Sequence, residues 1–490
     1  MWTEKSLVNT IQKSLKGHTF IVVSNREPYI HQREGEKIKW NKTVSGVTIA
    51  LDPVMQAAGG TWIAWGSGKA DREVVDKRSC VRVPPDNPSY TLKRVWLSEE
   101  EEKGYYYGYS NQALWPLSHI AYEKPKFIKA QWQIYKRINQ KFAEAILDEI
   151  GDKKAFVWLQ DYHFTLAARH IKDKKPDTIV AMFWHIPWPN PEVFRICPQK
   201  REILGGLLSC DLLGFHIRYH CLNFMNTVDF ELESKSDYEE NSITYRGHKT
   251  FIRDFPISVD FEGISKESQS SEVDKARKHI PEQIPIPYEI LALGIDRLDY
   301  TKGILERLYA VERFLEKYPQ YQKRFVFYQA GALSRIDIPS YKALNNDIEK
   351  VVERINNKYK KDNWKPIFLT NRVLNYDEHL ALYQCADMCI VSSLHDGMNL
   401  VAKEYVSANF ECRGALLLSK FTGAARELSK GMILINPYDF DSTADAIKRA
   451  IEISNEEKKE RMQRLRAIVA ERNIFRWAGK FISTLVKLYR

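Results

Sequence analysis

The sequence predicts an α/β protein with two parallel-sheet domains facing a cleft, and three observations support that expectation. At 490 residues the chain exceeds what one ordinary hydrophobic core organises. Short apolar runs alternate with longer helical patterns in both halves, as βαβ units do. The alternation breaks once, over the polar and charged stretch 231–287, and then restarts.

In the first half, apolar runs at 20–24, 155–159, 179–184 and 212–215 read as strands. Helical patterns occupy 47–58, 127–150, 164–172, 200–209 and 219–230. The second half gives strands at 288–294, 325–329, 367–369, 388–392, 415–419 and 432–435, with helices at 304–317, 340–358, 377–386 and 399–409. Stretch 231–287 carries Ser-Gln-Ser-Ser at 268–271 and prolines at 281, 285 and 287, which fits a linker region with one short strand at 251–257 still in the first domain. After Ser442 the pattern is helical, and its last apolar face (Ile474, Trp477, Phe481, Leu485, Leu488) needs a surface to cover. The expected domains are therefore 1–272 and 286–465, with the segment 466–490 returning to the first domain.

Composition excludes several classes. Hydrophobic content of 44% and charged content of 28% suit a soluble globular protein. The sequence has no apolar run of about 18 residues, so no membrane partner is expected. Residues 1–17 lack the apolar core of a secretory signal. Seven scattered cysteines, an odd number, read as free thiols in a reducing cytoplasm. The net charge of +10 reads first as a solvated lysine-rich surface, then as steering of polyanionic small substrates. Nucleic acid is the least supported partner, because the basic clusters are short and no reader motif is present.

The most informative stretch is His395-Asp396-Gly397-Met398-Asn399-Leu400-Val401-Ala402-Lys403-Glu404, which follows the apolar run 388–394. A strand, a tight turn and a helix opening form the switch at which α/β proteins hold ligands. The turn offers backbone N–H groups and a positive helix end to an anion, while Asp396 and Glu404 can accept hydrogen bonds from hydroxyls. Phosphate and sugar recognition in one segment point to a nucleotide-sugar enzyme. Arg297-Leu298-Asp299-Tyr300-Thr301-Lys302-Gly303 also follows a strand and precedes a helix, placing two cations where a pyrophosphate wants them. Alone it reads as a loop with exposed cations; in the same domain as the Asp396 turn it reads as a second phosphate loop.

The first domain offers Ser24-Asn25-Arg26, Trp62 to Trp65, Tyr105-Tyr106-Tyr107, Trp115, Gln160-Asp161 and His185 near strand ends. Aromatic rings with an arginine suit a phosphorylated carbohydrate. Trp62 and Trp158 read as core, and His185 by itself reads as a structural histidine. Asp439-Phe440-Asp441 looks like a metal clamp but stands before a helix, where N-capping explains it. No Gly-x-Gly-x-x-Gly opens a helix, so a nicotinamide cofactor is unsupported.

Together these residues resemble the trehalose-6-phosphate synthase family of retaining glycosyltransferases, above all through residues 296–303 and 396–404. The resemblance covers most of the chain from about Phe20 onward, 231–287 excepted. It implies the GT-B fold, with two Rossmann-like domains: an N-terminal one for the acceptor and a C-terminal one for the nucleotide-sugar. It also implies transfer of glucose from a nucleotide diphosphate to glucose 6-phosphate. Arg297 and Lys302 would hold the donor pyrophosphate and Glu404 the ribose diol. Asp396 and His185 would contact the transferred sugar. The amides of Gly397, Met398, Asn399, Leu400 and Val401 would help hold donor groups. Arg26, Tyr106 and Arg335 would grip the acceptor phosphate beside Trp115, with Asp161 and Trp65 facing the acceptor sugar. The catalytic assignment falls on Arg297, Lys302, Asp161 and His185. The family needs no metal and no cofactor, the nucleotide-glucose being a substrate. Homo-oligomer formation is left open. Three departures stand out: Ser45 replaces a glycine before Gly46, His395 replaces an arginine, and Gln160 replaces a histidine. Retention of Arg26, Tyr106, Trp115 and Arg335 favours a hexose 6-phosphate over glycerol 3-phosphate or a cyclitol phosphate. A silent sugar-phosphate sensor would have lost the donor residues, which are all present.

Overall fold

The computed structural model describes residues 2–14, 17–43 and 46–488. The chain divides into two units: one runs to Ile257 and takes up the last helix from Ile474, and the other runs Ser258–Asn473. In the first unit the strands are β1 (Thr19–Arg26), β2 (Tyr29–Glu34), β3 (Lys37–Lys42), β4 (Thr61–Trp65), β5 (Cys80–Val83) and β6 (Tyr90–Val95). They continue with β7 (Ala155–Gln160), β8 (Ile179–Phe183), β9 (Leu212–Phe215), β10 (Lys235–Asp237), β11 (Ser242–Tyr245) and β12 (His248–Asp254).

Ten of these form one sheet in the order β10-β11-β12-β9-β8-β7-β1-β4-β6-β5. The stretch from β12 to β6 is parallel, and antiparallel strands close both edges. β4, β7 and β9 are buried along their whole length, which is why their sequences are continuous apolar runs rather than alternating ones. From β1 the chain moves outward to β4 and β6, then returns to β7 on the other side of β1. The order therefore reverses between β1 and β7.

The helix Ile474–Leu488 covers this sheet. Its Phe481 ring stacks 4.5 Å from Trp158, and Trp477 lies 4.9 Å from the same indole. Both Trp62 and Trp158 are wholly buried, as their core reading requires.

The second unit has six parallel strands, β13 (Ile290–Arg297), β14 (Phe325–Ala332), β15 (Ile367–Thr370), β16 (Met388–Val391), β17 (Ala415–Ser419) and β18 (Ile433–Ile435). Their spatial order is β15-β14-β13-β16-β17-β18. This is the doubly wound order, and its reversal falls between β13 and β16.

Three expectations need correction. Stretch 231–287 is not a linker: it contains β10, β11, β12 and the helices Phe261–Glu267 and Ser271–Gln283. It reads as polar because β10 forms the sheet's outer edge with no buried residue, and β11 beside it is short and only partly buried. The first boundary falls after Ile257 rather than at 272, because β12 completes the sheet and the two helices then pack on the helices Leu400–Ala408 and Tyr376–Cys385 of the second unit. Residues 466–473 likewise stay with the second unit, since most of them finish the helix Asn455–Glu471.

Among the described residues no helix is long and apolar enough to cross a membrane, and no cluster of three or more His, Cys, Asp or Glu is arranged to hold a metal. Asp439 caps a helix, its carboxylate accepting the Ser442 N–H at 2.9 Å.

Candidate active site

The carboxyl ends of β1 and β7, at the first reversal point, gather one set of predicted residues. The register of β1 against β4 skips Asn25, so that Ser24 faces Ala64 and Arg26 faces Trp65. Such a bulge re-aims the side chain that follows it. Arg26 donates to the Tyr106 hydroxyl at 3.2 Å, and its guanidinium lies 5.0 Å from the Tyr106 ring centre and 5.7 Å from that of Trp65. Tyr106 rides on a π-helix, Lys103–Leu114, whose wide turns are tied by Asn111 donating to the Tyr106 carbonyl at 2.8 Å. Trp115 follows it, 5.9 Å from the Tyr162 ring.

Behind Arg26 lies a buried charge cluster. Glu27 accepts the Ser67 N–H at 2.7 Å and Arg94 Nε at 2.7 Å, while Arg94 also reaches Asp71 at 2.9 Å. Burial pushes the Glu27 carboxyl up to about 8, and its hydrogen bond to Asp71 adds to the rise against the pull of Arg94. Burial alone would raise Asp71 too, but hydrogen bonds from His31 and Glu27 hold it below its usual range. These opposed directions favour a proton on Glu27 beside an ionised Asp71 and the Arg94 guanidinium.

Asp161, directly after β7, has φ 75°, a strained value for a non-glycine residue. It accepts the His185 backbone N–H at 3.0 Å and gives its own N–H to the Phe183 carbonyl at 2.7 Å. His185 lies after β8, its ring 4.7 Å from Phe183 and 5.7 Å from His216. Burial, aided by His216 and His163, holds its basicity well below that of an ordinary imidazole.

The second set occupies the reversal point of the other sheet. Lys302, in the loop after β13, reaches Asp396, in the loop after β16, at 2.5 Å. Asn399 and Ser393 donate to the same Asp396 oxygen, both at 3.3 Å. Ser392 Oγ donates to the carbonyls of Lys302 and Gly303, and the Leu394 N–H donates to the Thr301 carbonyl at 2.8 Å. Gly303 has φ 61°, and a Cβ there would sit 2.2 Å from the Ser392 carbonyl, so only glycine lets the two loops meet. On the far side, Gly423 and Ala424 donate to the carbonyls of Asp396 and Met398, joining the loop after β17.

Asn399 caps the helix Leu400–Ala408 by accepting the Ala402 N–H at 3.2 Å. The first amides of a helix, here Leu400 and Val401, have no carbonyl partner within it. Glu404, one turn further, accepts the Tyr383 hydroxyl at 3.1 Å. Burial raises its carboxyl, and the tyrosine works against that rise.

Asp299 is the hub of the β13 loop. Fully buried, it accepts the Tyr341 hydroxyl at 3.0 Å and lies 3.5 Å from Arg335 and 3.8 Å from Arg297. Burial would raise it, but the two arginines hold it below the usual carboxylate range. Arg297 keeps 41% of its side chain exposed.

Arg26, Trp65 and Tyr106 thus form one group, Asp161 and His185 a contacting pair, and Lys302, Asp396, Gly397, Met398 and Asn399 one stitched loop system. Arg335 stands in the second unit with Asp299 and Arg297. Gly46 opens the helix Gly46–Ala58 and is exposed; Ser45 lies outside the described residues. Sequence reasoning missed Asp299, although an acid between two cations in a phosphate loop was a usable signal. It also missed Tyr383 and Tyr341, which nothing local marks. Asn25, offered with Ser24 and Arg26 but given no role, is 4% exposed, with neither polar side-chain atom hydrogen-bonded among the described residues.

A family model described as Glycosyltransferase family 20 matches residues 18–487. The chain is 35% identical over 476 residues to a trehalose-6-phosphate synthase of Mycolicibacterium smegmatis, covering 95% of this chain and 92% of that one. It is equally 35% identical, over 479 residues, to a bifunctional trehalose-6-phosphate synthase/phosphatase of Thermoproteus tenax, covering 95% of this chain but 63% of the relative. Among solved structures, an E. coli protein of the trehalose-6-phosphate group, bound with UDP-2-fluoro glucose, superimposes with a TM-score of 0.84 at 30% identity, covering 96% of this chain and 99% of that one. A UDP-forming α,α-trehalose-phosphate synthase of Burkholderia xenovorans, in complex with glucose-6-phosphate, gives 0.84 at 28% identity, covering 95% and 99%.

Proposed function

The chain belongs to glycosyltransferase family 20, and from that premise we propose that it moves glucose from UDP-glucose to glucose 6-phosphate, forming α,α-trehalose 6-phosphate. The observation that carries this reading is the convergence of Lys302, Asp396 and the helix start at Leu400 on the reversal point of a doubly wound sheet. That is where an α/β fold receives a nucleotide's phosphates.

In this reading Lys302 and Arg297 neutralise the departing pyrophosphate, with the amides of Leu400 and Val401 assisting. Glu404 takes the ribose diol, and its partial burial makes it a strong acceptor for paired hydroxyls. Within the second unit Asp396 serves glucosyl hydroxyls, and within the first unit the same role falls to His185. In the first unit Arg26 with Tyr106 receives the acceptor phosphate, while Trp65, Trp115 and Asp161 address the acceptor sugar; in the second unit Arg335 is a further phosphate ligand of this reading. Gly46 leaves room for backbone approach. The names of the two solved relatives, one bound with UDP-2-fluoro glucose and one with glucose-6-phosphate, support the choice of substrates.

The acceptor hydroxyl oxygen bonds to the glucosyl C1 on the face from which the phosphate oxygen departs. Its proton passes to that oxygen, and UDP leaves. The chain's work is placement and charge stabilisation, which can supply several kcal/mol of the barrier. The departing phosphate serves as base, so the reaction draws on no resident cofactor or metal. Seven unpaired cysteines support a reducing, cytoplasmic setting.

The test is a matrix of glucose 6-phosphate, fructose 6-phosphate and glycerol 3-phosphate against UDP-, ADP- and GDP-glucose, read by nucleotide release. Release with UDP-glucose and glucose 6-phosphate is expected; release with glycerol 3-phosphate alone would overturn the acceptor assignment.

A further inference from the structure

Gln160 ends β7 and is 1% exposed, and its Oε1 lies 2.8 Å from His185 Nε2. A carboxamide oxygen only accepts hydrogen bonds, so in this amide orientation the ring nitrogen facing it carries a proton, while Gln160 Nε2 is buried with no hydrogen bond among the described residues. Asp161, the next residue, holds the backbone of the same histidine. The cause is register: Gln160 pairs with Phe183 across the parallel strands, and His185 follows two residues later. One strand end thereby fixes both the main chain and the side chain of the residue leaving its neighbour.

The groups around the ring favour a neutral imidazole. Phe183 and Trp477 supply apolar faces at 4.7 and 6.4 Å. His216 donates from Nε2 to the His185 carbonyl at 2.9 Å, and its own ring lies 5.7 Å away. His163, on the turn Tyr162–Phe164, adds a third imidazole whose charge would be repulsive. Asp161 is the carboxylate of the β7 end, and its Oδ1 is engaged with the His185 amide.

We propose that Gln160 is a positioning residue that holds His185 as the neutral Nε2–H tautomer and so presents Nδ1 as a lone-pair acceptor to a hydroxyl of the transferred sugar. Only the identity of that hydroxyl rests on the reading above; the tautomer does not. A glutamate at position 160 would invert the arrangement, because a carboxylate stabilises the imidazolium and removes the acceptor nitrogen.

The experiment is histidine-selective 15N labelling of the full chain, with His185 identified by comparison with His185→Gln, together with kcat against pH. The wild type should show a neutral Nε2–H ring throughout the range in which an ordinary imidazole titrates. Gln160→Glu should show His185 protonated near neutrality, and kcat should acquire an acid limb absent from the wild type. Gln160→Leu should lose the single tautomer and about tenfold in kcat without a new limb. An Nδ1–H ring in the wild type overturns the proposal, and so does a Gln160→Glu enzyme whose ring and pH profile match the wild type. The wild-type spectrum needs no variant to fold. If the tautomer is found as stated but His185→Gln turns over normally, the sugar contact is wrong and the positioning by Gln160 stands.

Discussion

Lys302 Nζ lies 2.5 Å from Asp396 Oδ2, although 94 residues separate the two in the chain. The contact exists because β13 and β16 are neighbours at the point where the sheet reverses its order, and because Gly303 lets the two loops touch. It places a cation at the start of the helix Leu400–Ala408, where negative charge is favoured. Lys302→Ala should lower kcat by about 10²–10³-fold, the size of effect seen when one preorganised charge-stabilising donor is removed. Steady-state kinetics with saturating acceptor check this; wild-type turnover would refute the role.

Arg26 bears on the other substrate. It is held by Tyr106 and stacked near Trp65, all within the first unit. Loss of one charge-assisted hydrogen bond costs about 1.5–3 kcal/mol, so Arg26→Ala should raise the acceptor KM roughly 10- to 100-fold. The donor KM should change little, and equal effects on both would contradict the assignment.

The Glu27–Asp71 pair gives a pH signature in stability. Glu27 rises from an ordinary 4.5 to about 8 on folding, so the folded state holds a proton that the unfolded chain releases. Its contribution is complete below the unfolded value and is lost as pH rises through the folded one. Between those values stability should fall by up to about 1.4 kcal/mol per pH unit. Glu27→Gln removes the titration, so its melting temperature should decline less than the wild type's over that window. Parallel declines would rule the Glu27 proton out.

Trp477 tests the covering of the first sheet. It is 3% exposed, with its ring 4.9 Å from Trp158 and 5.0 Å from Phe183. Trp477→Ala should cost about 3–5 kcal/mol. Hydrogen exchange should report faster opening of β7 and β8, while protection of β13 and β14 stays as it was.

The parts legible in the sequence were those with one dominant physical cause. Strands such as β9 and β17 are buried on both faces, so their apolar runs mark their ends. The phosphate loops read clearly because cations, glycine and a helix start lie within a few residues of one another. The edge strand β10 and its neighbour β11 did not, since short, incompletely buried strands are polar and resemble loops. Nor did the meeting of Arg335 with Arg297 on Asp299, or of Gln160 with His185. These depend on which strands become neighbours and in what register, and no local spacing encodes that.

The central claim is that one glucosyl unit passes from UDP to glucose 6-phosphate with its anomeric configuration kept. Proton and phosphorus NMR of a complete reaction measure it directly. The account predicts UDP and an α,α-linked disaccharide monophosphate in equal amounts; an inverted anomeric centre, or UDP released without any disaccharide, would contradict it.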